Sequence, residues 1–365
     1  MEGHDLIVMG ASAGGIEALQ DVLTQLPGDL PAAVCIVQHT ASHSTGHLAR
    51  ILDRAGPLSA ALAQDGESIE HGRVYIAPPD HHLLVKPGYV CVARGPRENS
   101  TRPAIDPLFR SAAASYGSRV IGVILTGLQS DGSSGLLAIK RCGGLALVQD
   151  PNDAMYPDMP LNALACVDVD YCLPLTKIGA VLHRLVYETP MHTLVVPTDI
   201  ITEARIAESL ASDINREETL GALAPVTCPE CGGPLWELEA DTVKRYRCHL
   251  GHAYTLQSLL DEQSEEIERA LWTAVRTMEE RAYMLLSMLG KGEKRWLSIG
   301  EQYKTQATQL QTYAQRIREI LLSSQTESLA SYRPQQELPN SEPVQIRGLG
   351  YASEPNGDQK SEGID

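Results

Sequence analysis

Four short, almost wholly apolar runs constrain this chain most: Leu6-Ile7-Val8-Met9, Ala33-Val34-Cys35-Ile36-Val37, Val120 to Leu125 and Leu145 to Val148. Unbroken rather than alternating apolarity suits strands covered on both faces, the condition inside a parallel sheet. Ile16, Leu19, Val22, Leu23 and Leu26 recur at helical spacing until Pro27-Gly28 ends the pattern. That helix and the first two runs form one right-handed strand-helix-strand unit. The expected fold class is α/β, a doubly wound and mostly parallel sheet. Segments near 74–76, 83–85 and 89–92, joined by Pro78-Pro79 and Pro87-Gly88, read as a short antiparallel excursion.

Gly10-Ala11-Ser12-Ala13-Gly14-Gly15 follows the first strand and opens the first helix, the setting of a nucleophile elbow. Small neighbours permit a tight turn that exposes Ser12 Oγ, with the Ala13 N–H and the helix N-terminus near any oxyanion formed there. The second strand ends in Gln38-His39, and the third apolar run leads through Thr126-Gly127-Leu128 to Asp131. Neighbouring parallel strands end at one crevice, so a serine, a base and an orienting carboxylate are expected to converge there. Each residue also has a plainer reading, Ser12 and Asp131 as helix N-caps and His39 as an ordinary loop residue. A dinucleotide site fits poorly, because its fingerprint needs glycine where Ser12 stands and an acidic residue where the second strand ends. The order serine, histidine, aspartate also differs from the α/β-hydrolases.

Those motifs, with Arg102-Pro103-Ala104-Ile105-Asp106-Pro107-Leu108-Phe109, resemble the catalytic domain of the chemotaxis protein-glutamate methylesterases over residues 4–188. The resemblance implies hydrolysis of glutamate γ-methyl esters on chemoreceptor helices, with deamidation of particular glutamines, and no cofactor for catalysis. It implies Ser12 as nucleophile, His39 as base and then acid, and Asp131 as the orienting carboxylate. It makes the Ala13 and Leu128 N–H groups oxyanion donors, sets Arg102 and the segment to Phe109 in the wall of the cleft, and places Met159, in the loop after Tyr156, nearby. Regulated members carry a phosphorylatable receiver domain, whereas this chain enters its first catalytic strand at residue 5, so no aspartyl-phosphate switch is expected. Thr40 to His47 lacks the Met-Pro that commonly follows the family's histidine. His43 and His47, four residues apart, show no third ligand at suitable spacing and are not assigned to a metal.

Cys228-Pro229-Glu230-Cys231-Gly232-Gly233 and, sixteen residues after Cys231, Cys248-His249-Leu250-Gly251-His252 form a second constellation. Two knuckles of this kind suit a closed tetrahedral zinc site that is structural rather than catalytic. Cys228, Cys231, Cys248 and His252 are the expected ligands, His252 being preferred to His249 because the longer gap lets both side chains turn inward. The other five cysteines sit in apolar stretches and read as buried thiols. Net charge is −16, and residues 191–365 hold 27 acidic against 17 basic residues, with Lys244, Arg245 and Arg247 the one local basic patch. Nucleic acid is therefore not an expected partner. With no signal sequence or long apolar segment, the expected setting is cytoplasmic without direct membrane insertion.

The expected organisation is a catalytic domain over 1–189, a linker with a short helix over 190–225 and a zinc-ribbon-like module over 226–256. A helical hairpin over 257–322 and a disordered tail over 323–365 complete it. The expected substrate partner is a methylated chemoreceptor or receptor-like coiled coil. Two other readings are a catalytically weak scaffold or regulatory binding protein on the same fold, and an esterase for another ester.

Overall fold

The computed structural model describes residues 3–44, 47–190, 195–208, 221–238, 243–289 and 297–331. Its centre is a seven-stranded parallel sheet. The strands are β1 (Leu6–Ala11), β2 (Ala33–Gln38), β3 (Ser59–Leu62), β4 (Arg73–Ile76), β7 (Val120–Ile124), β8 (Leu145–Gln149) and β9 (Tyr171–Leu173), in the order β3-β4-β2-β1-β7-β8-β9. The antiparallel hairpin β5 (His82–Lys86) and β6 (Tyr89–Ala93) stands apart. Val74 to Ile76 is a correction to the expected excursion, since β4 pairs in parallel with both β2 and β3 and only the next two segments form a hairpin.

Successive side chains of β1 enter opposite cores, Leu6 and Val8 on one face and Ile7 and Met9 on the other. The first face is covered by α3 (Ile105–Tyr116), α4 (Ser133–Arg141) and α5 (Asp158–Cys166). The second is covered by α1 (Gly15–Thr24), α2 (His47–Asp53) and α6 (Leu175–Leu185). This double cover is why the strands read as unbroken apolar runs. β2 lies on one side of β1 and β7 on the other, so the order reverses at β1 and opens a crevice at the C-terminal strand ends.

Two compact units divide the chain, Met1–Ile267 and Glu268–Asp365. The expected boundaries at 189/190, 225/226 and 256/257 all fall within the first. Helix α7 (Thr198–Ile206), in the stretch read as a linker, buries Ile200 and Glu203. An antiparallel four-stranded ribbon comes next, formed by β10 (Gly221–Thr227), β11 (Pro234–Leu238), β12 (Arg245–Cys248) and β13 (Ala253–Thr255). Leu235, Tyr246 and Tyr254 pack around Cys228 and Cys248 in its core. Two long helices complete the described structure, α8 (Leu256–Leu289) and α9 (Leu297–Ser331). In the second unit Arg318 of α9 pairs with Glu279 of α8. Gly290-Lys291-Gly292, where the sequence pattern breaks the expected hairpin, lies outside the described residues. The tail expected from Ser323 begins as helix through Ser331, and residues 332–365 lie outside the described residues too.

Arg245 and Arg247 are a second correction. Instead of a basic patch they form a buried cluster with Glu98, Arg110 and Glu203. Arg245 bonds both oxygens of Glu203 at 2.6 Å, and Arg247 reaches Glu98 at 3.1 Å. Burial alone would raise Glu98 and Glu203, yet the arginines hold both carboxyls below the ordinary glutamate value. The cluster fastens the ribbon to α3 and α7.

Candidate active site

Ser12 leaves β1 at the point where the strand order reverses. Its N–H donates to Thr126 O at 3.0 Å, and Gly14 takes φ +70° to turn the chain into α1. That left-handed value favours glycine. His39 follows β2 and is held by its own N–H to Ala11 O. Gln38 fixes both turns at once, since its Nε2 donates to Ser12 O at 2.7 Å and to His39 O at 3.1 Å. Asp131 stands in the loop between β7 and α4 and is almost wholly buried.

The three side chains meet. His39 Nδ1 lies 3.1 Å from Ser12 Oγ and Nε2 lies 2.8 Å from Asp131 Oδ2. A neutral imidazole protonated at Nε2 donates to the carboxylate and turns its Nδ1 lone pair to the serine, the arrangement a proton-accepting base needs. Asp131 Oδ2 also accepts from Ile105 N–H at 2.6 Å, while Oδ1 accepts from Asn99 Nδ2 at 2.8 Å and Gly132 N–H at 3.0 Å. Burial would raise its carboxyl, but the His39 bond and charge, followed by the Ile105 and Asn99 donors, hold it below the usual aspartate value. Asp131 is thus a carboxylate that stays ionised beside the imidazole. Its buried neighbour Asp106 is pushed up to about 7, chiefly by burial and then by the Asp131 charge.

Ala13 and Leu128 flank Ser12 from two turns, and Leu128 is exposed. A Cβ added to Gly127 would lie 2.7 Å from Ser12 Cβ and 2.1 Å from Met159 Sδ, so Ser12 and Met159 both press on the backbone of the Gly127-Leu128 turn. Met159 itself is buried. The Arg102 guanidinium is engaged by Nη2 to Asp80 Oδ1 at 2.7 Å and by Nη1 to Gly95 O at 2.7 Å. Sequence reasoning missed Gln38 and Asn99. Gln38 is signalled only by adjacency to His39, and Asn99 by no motif.

In the ribbon, ligand atoms of Cys228, Cys231, Cys248 and His252 all lie within 4.8 Å of one another. Each knuckle closes on a left-handed glycine, Gly232 at φ +69° and Gly251 at φ +89°. Their N–H groups return to Cys228 O and Cys248 O, both at 2.8 Å. His252 turns Nδ1 toward Cys228 and Cys248 and Nε2 toward Glu230 at 3.2 Å, an outer carboxylate that fixes the ring. His249 instead packs its ring against Gly233. Three sulfurs so close cannot all ionise unaided: the Cys248 hydrogen bond draws Cys228 down to about 3, while sharing that proton pushes Cys248 up. A divalent cation lets all three ionise together, and the donor set fits a tetrahedral metal. Among the described residues, His43 and His47 belong to no such group.

The sequence matches the family model for CheB methylesterase over residues 7–182. A Leptospira interrogans protein with a provisional protein-glutamate methylesterase/protein-glutamine glutaminase name is 44% identical over 183 residues, covering 50% of this chain and 95% of that protein. Protein-glutamate methylesterase/protein-glutamine glutaminase 2 of Rhodospirillum rubrum is 40% identical over 185 residues, 50% of this chain and 51% of that one. The solved CheB methylesterase catalytic domain of Thermotoga maritima is 35% identical, covering 50% of this chain and 98% of that one at a TM-score of 0.48.

Proposed function

This chain belongs to the CheB methylesterase family, and from that membership and the Ser12 site we propose that it is a serine carboxylic-ester hydrolase. It demethylates glutamate γ-methyl esters on chemoreceptors or receptor-like coiled coils, with glutamine deamidation as a second use of the same site. The observation that carries this reading is the single imidazole bonded on one side to Ser12 and on the other to Asp131.

In the reaction, His39 Nδ1 takes the Ser12 proton as Oγ attacks the ester carbonyl, and Asp131 remains ionised to stabilise the imidazolium. The oxyanion is held by the N–H groups of Ala13 and Leu128, donors on two rigid turns. Collapse breaks the bond to methoxide, which leaves as methanol with the Nδ1 proton. Water then gives its proton to His39 and attacks the acyl-enzyme, releasing the glutamate carboxylate and restoring Ser12. Arg102 stiffens the cleft wall through Asp80, and Met159 supports the turn beside the serine.

The ribbon cluster holds one structural zinc on Cys228, Cys231, Cys248 and His252, supported by four closed ligands and the Glu230 bond to His252. Four protein ligands leave no open position, so the metal supplies folding energy and no reaction step. Among the described residues no helix is long and apolar enough to cross a membrane.

Methanol release from a methylated receptor fragment tests the reading. Ser12→Ala should lower it by about 10⁴-fold or more. Wild-type release from that variant refutes the mechanism, and turnover of simple esters alone reassigns the substrate.

A further inference from the structure

Asn99 is a buried side chain with every polar group engaged, and its two ends face two different parts of the protein. One Nδ2 hydrogen goes to Asp131 Oδ1 at 2.8 Å and the other to Asp106 Oδ2 at 2.9 Å. Its Oδ1 accepts from Thr255 N–H at 3.0 Å and from Ser258 Oγ at 2.8 Å, at the end of β13 and in the first turn of α8. The amide orientation is fixed by chemistry, because the ionised Asp131 carboxylate only accepts and the Thr255 backbone N–H only donates.

The ribbon also holds the backbone that presents this amide. Asn99 N–H donates to Ala253 O at 2.7 Å and Ala253 N–H donates to Arg97 O at 3.3 Å, so residues 97–99 lie along β13 like one more short strand. Asn99 and Ser100 take φ +49° and +61°, a left-handed pair in which asparagine is at home. A second link starts one residue before the carboxylate. Ser130 Oγ lies 2.8 Å from Thr255 Oγ1, which donates to Ser258 Oγ at 3.0 Å. The Thr255 proton is thereby committed, so Ser130 donates, and the hydroxyls run Ser130 to Thr255 to Ser258 before reaching Asn99. Two routes thus join the ribbon to Asp131, one through the Asn99 amide and one through Ser130.

We propose that Asn99 is a positioning residue for the Asp131 carboxylate and that the ribbon's Thr255, with Ser258 in the first turn of α8, holds it in place. The ribbon is then part of the hydrolytic site's scaffold. This inference rests on the reading of Ser12, His39 and Asp131 as the catalytic group. A bond to a carboxylate fixes where its lone pairs point only if the donor is itself fixed. Asn99 sits in a loop, and the fixed parts around it are the ribbon edge and the buried Glu98 to Arg247 pair one residue earlier.

The test labels the full-length protein with a fluorophosphonate serine probe and reads two quantities, the fraction of chains labelled at Ser12 and the rate of labelling. Wild-type protein should label fully at Ser12. Asn99→Ala and Asn99→Asp should label about tenfold or more slowly while still reaching full stoichiometry, as expected for losing one donor to a charged group. Ser258→Ala, a change in the first turn of α8 that removes the hydroxyl bonded to Asn99 Oδ1, should slow labelling by about threefold or more, in line with loss of a neutral hydrogen bond. Gln257→Ala on the neighbouring exposed surface should match wild type. Wild-type rates in the Asn99 variants and in Ser258→Ala overturn the proposal. So does a reduced labelled fraction at an unchanged rate, which is the mark of a merely structural role and is decided by Ser258→Ala even if Asn99→Ala does not fold. A wild-type protein that does not label at all refutes the hydrolase reading itself, and this inference with it.

Discussion

Asp131→Asn separates the orienting role of this residue from simple packing, because the amide has nearly the shape of the carboxylate but only one acceptor oxygen. Five donors surround the native group. Oδ2 receives His39 Nε2 and Ile105 N–H, while Oδ1 receives Asn99 Nδ2, Gly132 N–H and Asp106 N–H. Placing the new NH2 at the Oδ1 position sets it against three donors that have no other native partner at that oxygen. At the Oδ2 position it opposes one backbone N–H and the imidazole, and the imidazole can adapt by moving its proton from Nε2 to Nδ1. The second orientation therefore wins. It leaves His39 with a hydrogen, not a lone pair, facing Ser12. Wrong-tautomer variants of serine-histidine-aspartate enzymes lose about 10⁴ in kcat, which is about 5 kcal/mol of barrier. The orphaned Ile105 N–H should cost a further ~1–3 kcal/mol of stability. Ester turnover and probe labelling measure the first, a denaturant melt the second, and nitrogen NMR of His39 reports the tautomer directly. Turnover within tenfold of wild type, or a His39 still protonated at Nε2, would refute this account of the site.

Other contacts support three further predictions. Gly127→Ala puts a methyl group against Ser12 and Met159, and should cost about 1–3 kcal/mol in stability and about 10²-fold in labelling rate; wild-type melting and labelling would count against the tight turn. Elemental analysis should find one zinc per chain, with Cys248→Ser losing it and melting earlier, whereas a metal-free purified protein of unchanged stability would remove zinc from the picture. Glu98 and Glu203 are held below the ordinary value of 4.5, so their contribution is present above that pH and is lost as pH falls through their depressed folded values. Thermal melts between pH 7 and pH 3 should therefore fall more steeply for wild type than for Glu203→Gln, and parallel curves would refute the assignment.

The sheet was legible because each central strand is covered on both faces, so Val120 to Ile124 and its neighbours carry unbroken apolar runs that local pattern can find. The site was legible for a related reason: Ser12, His39 and Asp131 each follow such a run, and parallel topology brings strand ends together. Partner choice was not. Val74, Tyr75 and Ile76 read as a strand, but pairing with β2 and β3 depends on contacts that a three-residue pattern does not encode. Asn99 is harder still, because its bonds reach Asp131 across 32 positions and Thr255 across 156. Its role exists only after two distant parts of the chain have packed.

The ribbon arginines carry the same lesson into energetics. By composition Arg245 and Arg247 are surface charge, yet in the fold they meet two carboxylates that are themselves almost wholly buried. Removing one partner from such a cluster leaves an uncompensated charge in a dry interior, at a cost of about 3–5 kcal/mol. Peeling the ribbon away from α3 and α7 would separate several partners at once. An opening that exposed the ribbon while leaving Asp131 correctly held is therefore unfavourable, and the ribbon belongs to the same cooperative body as the sheet. That coupling makes an asparagine anchored on the ribbon a steady donor to a carboxylate at the sheet's rim, where the same bond from a free loop would not be.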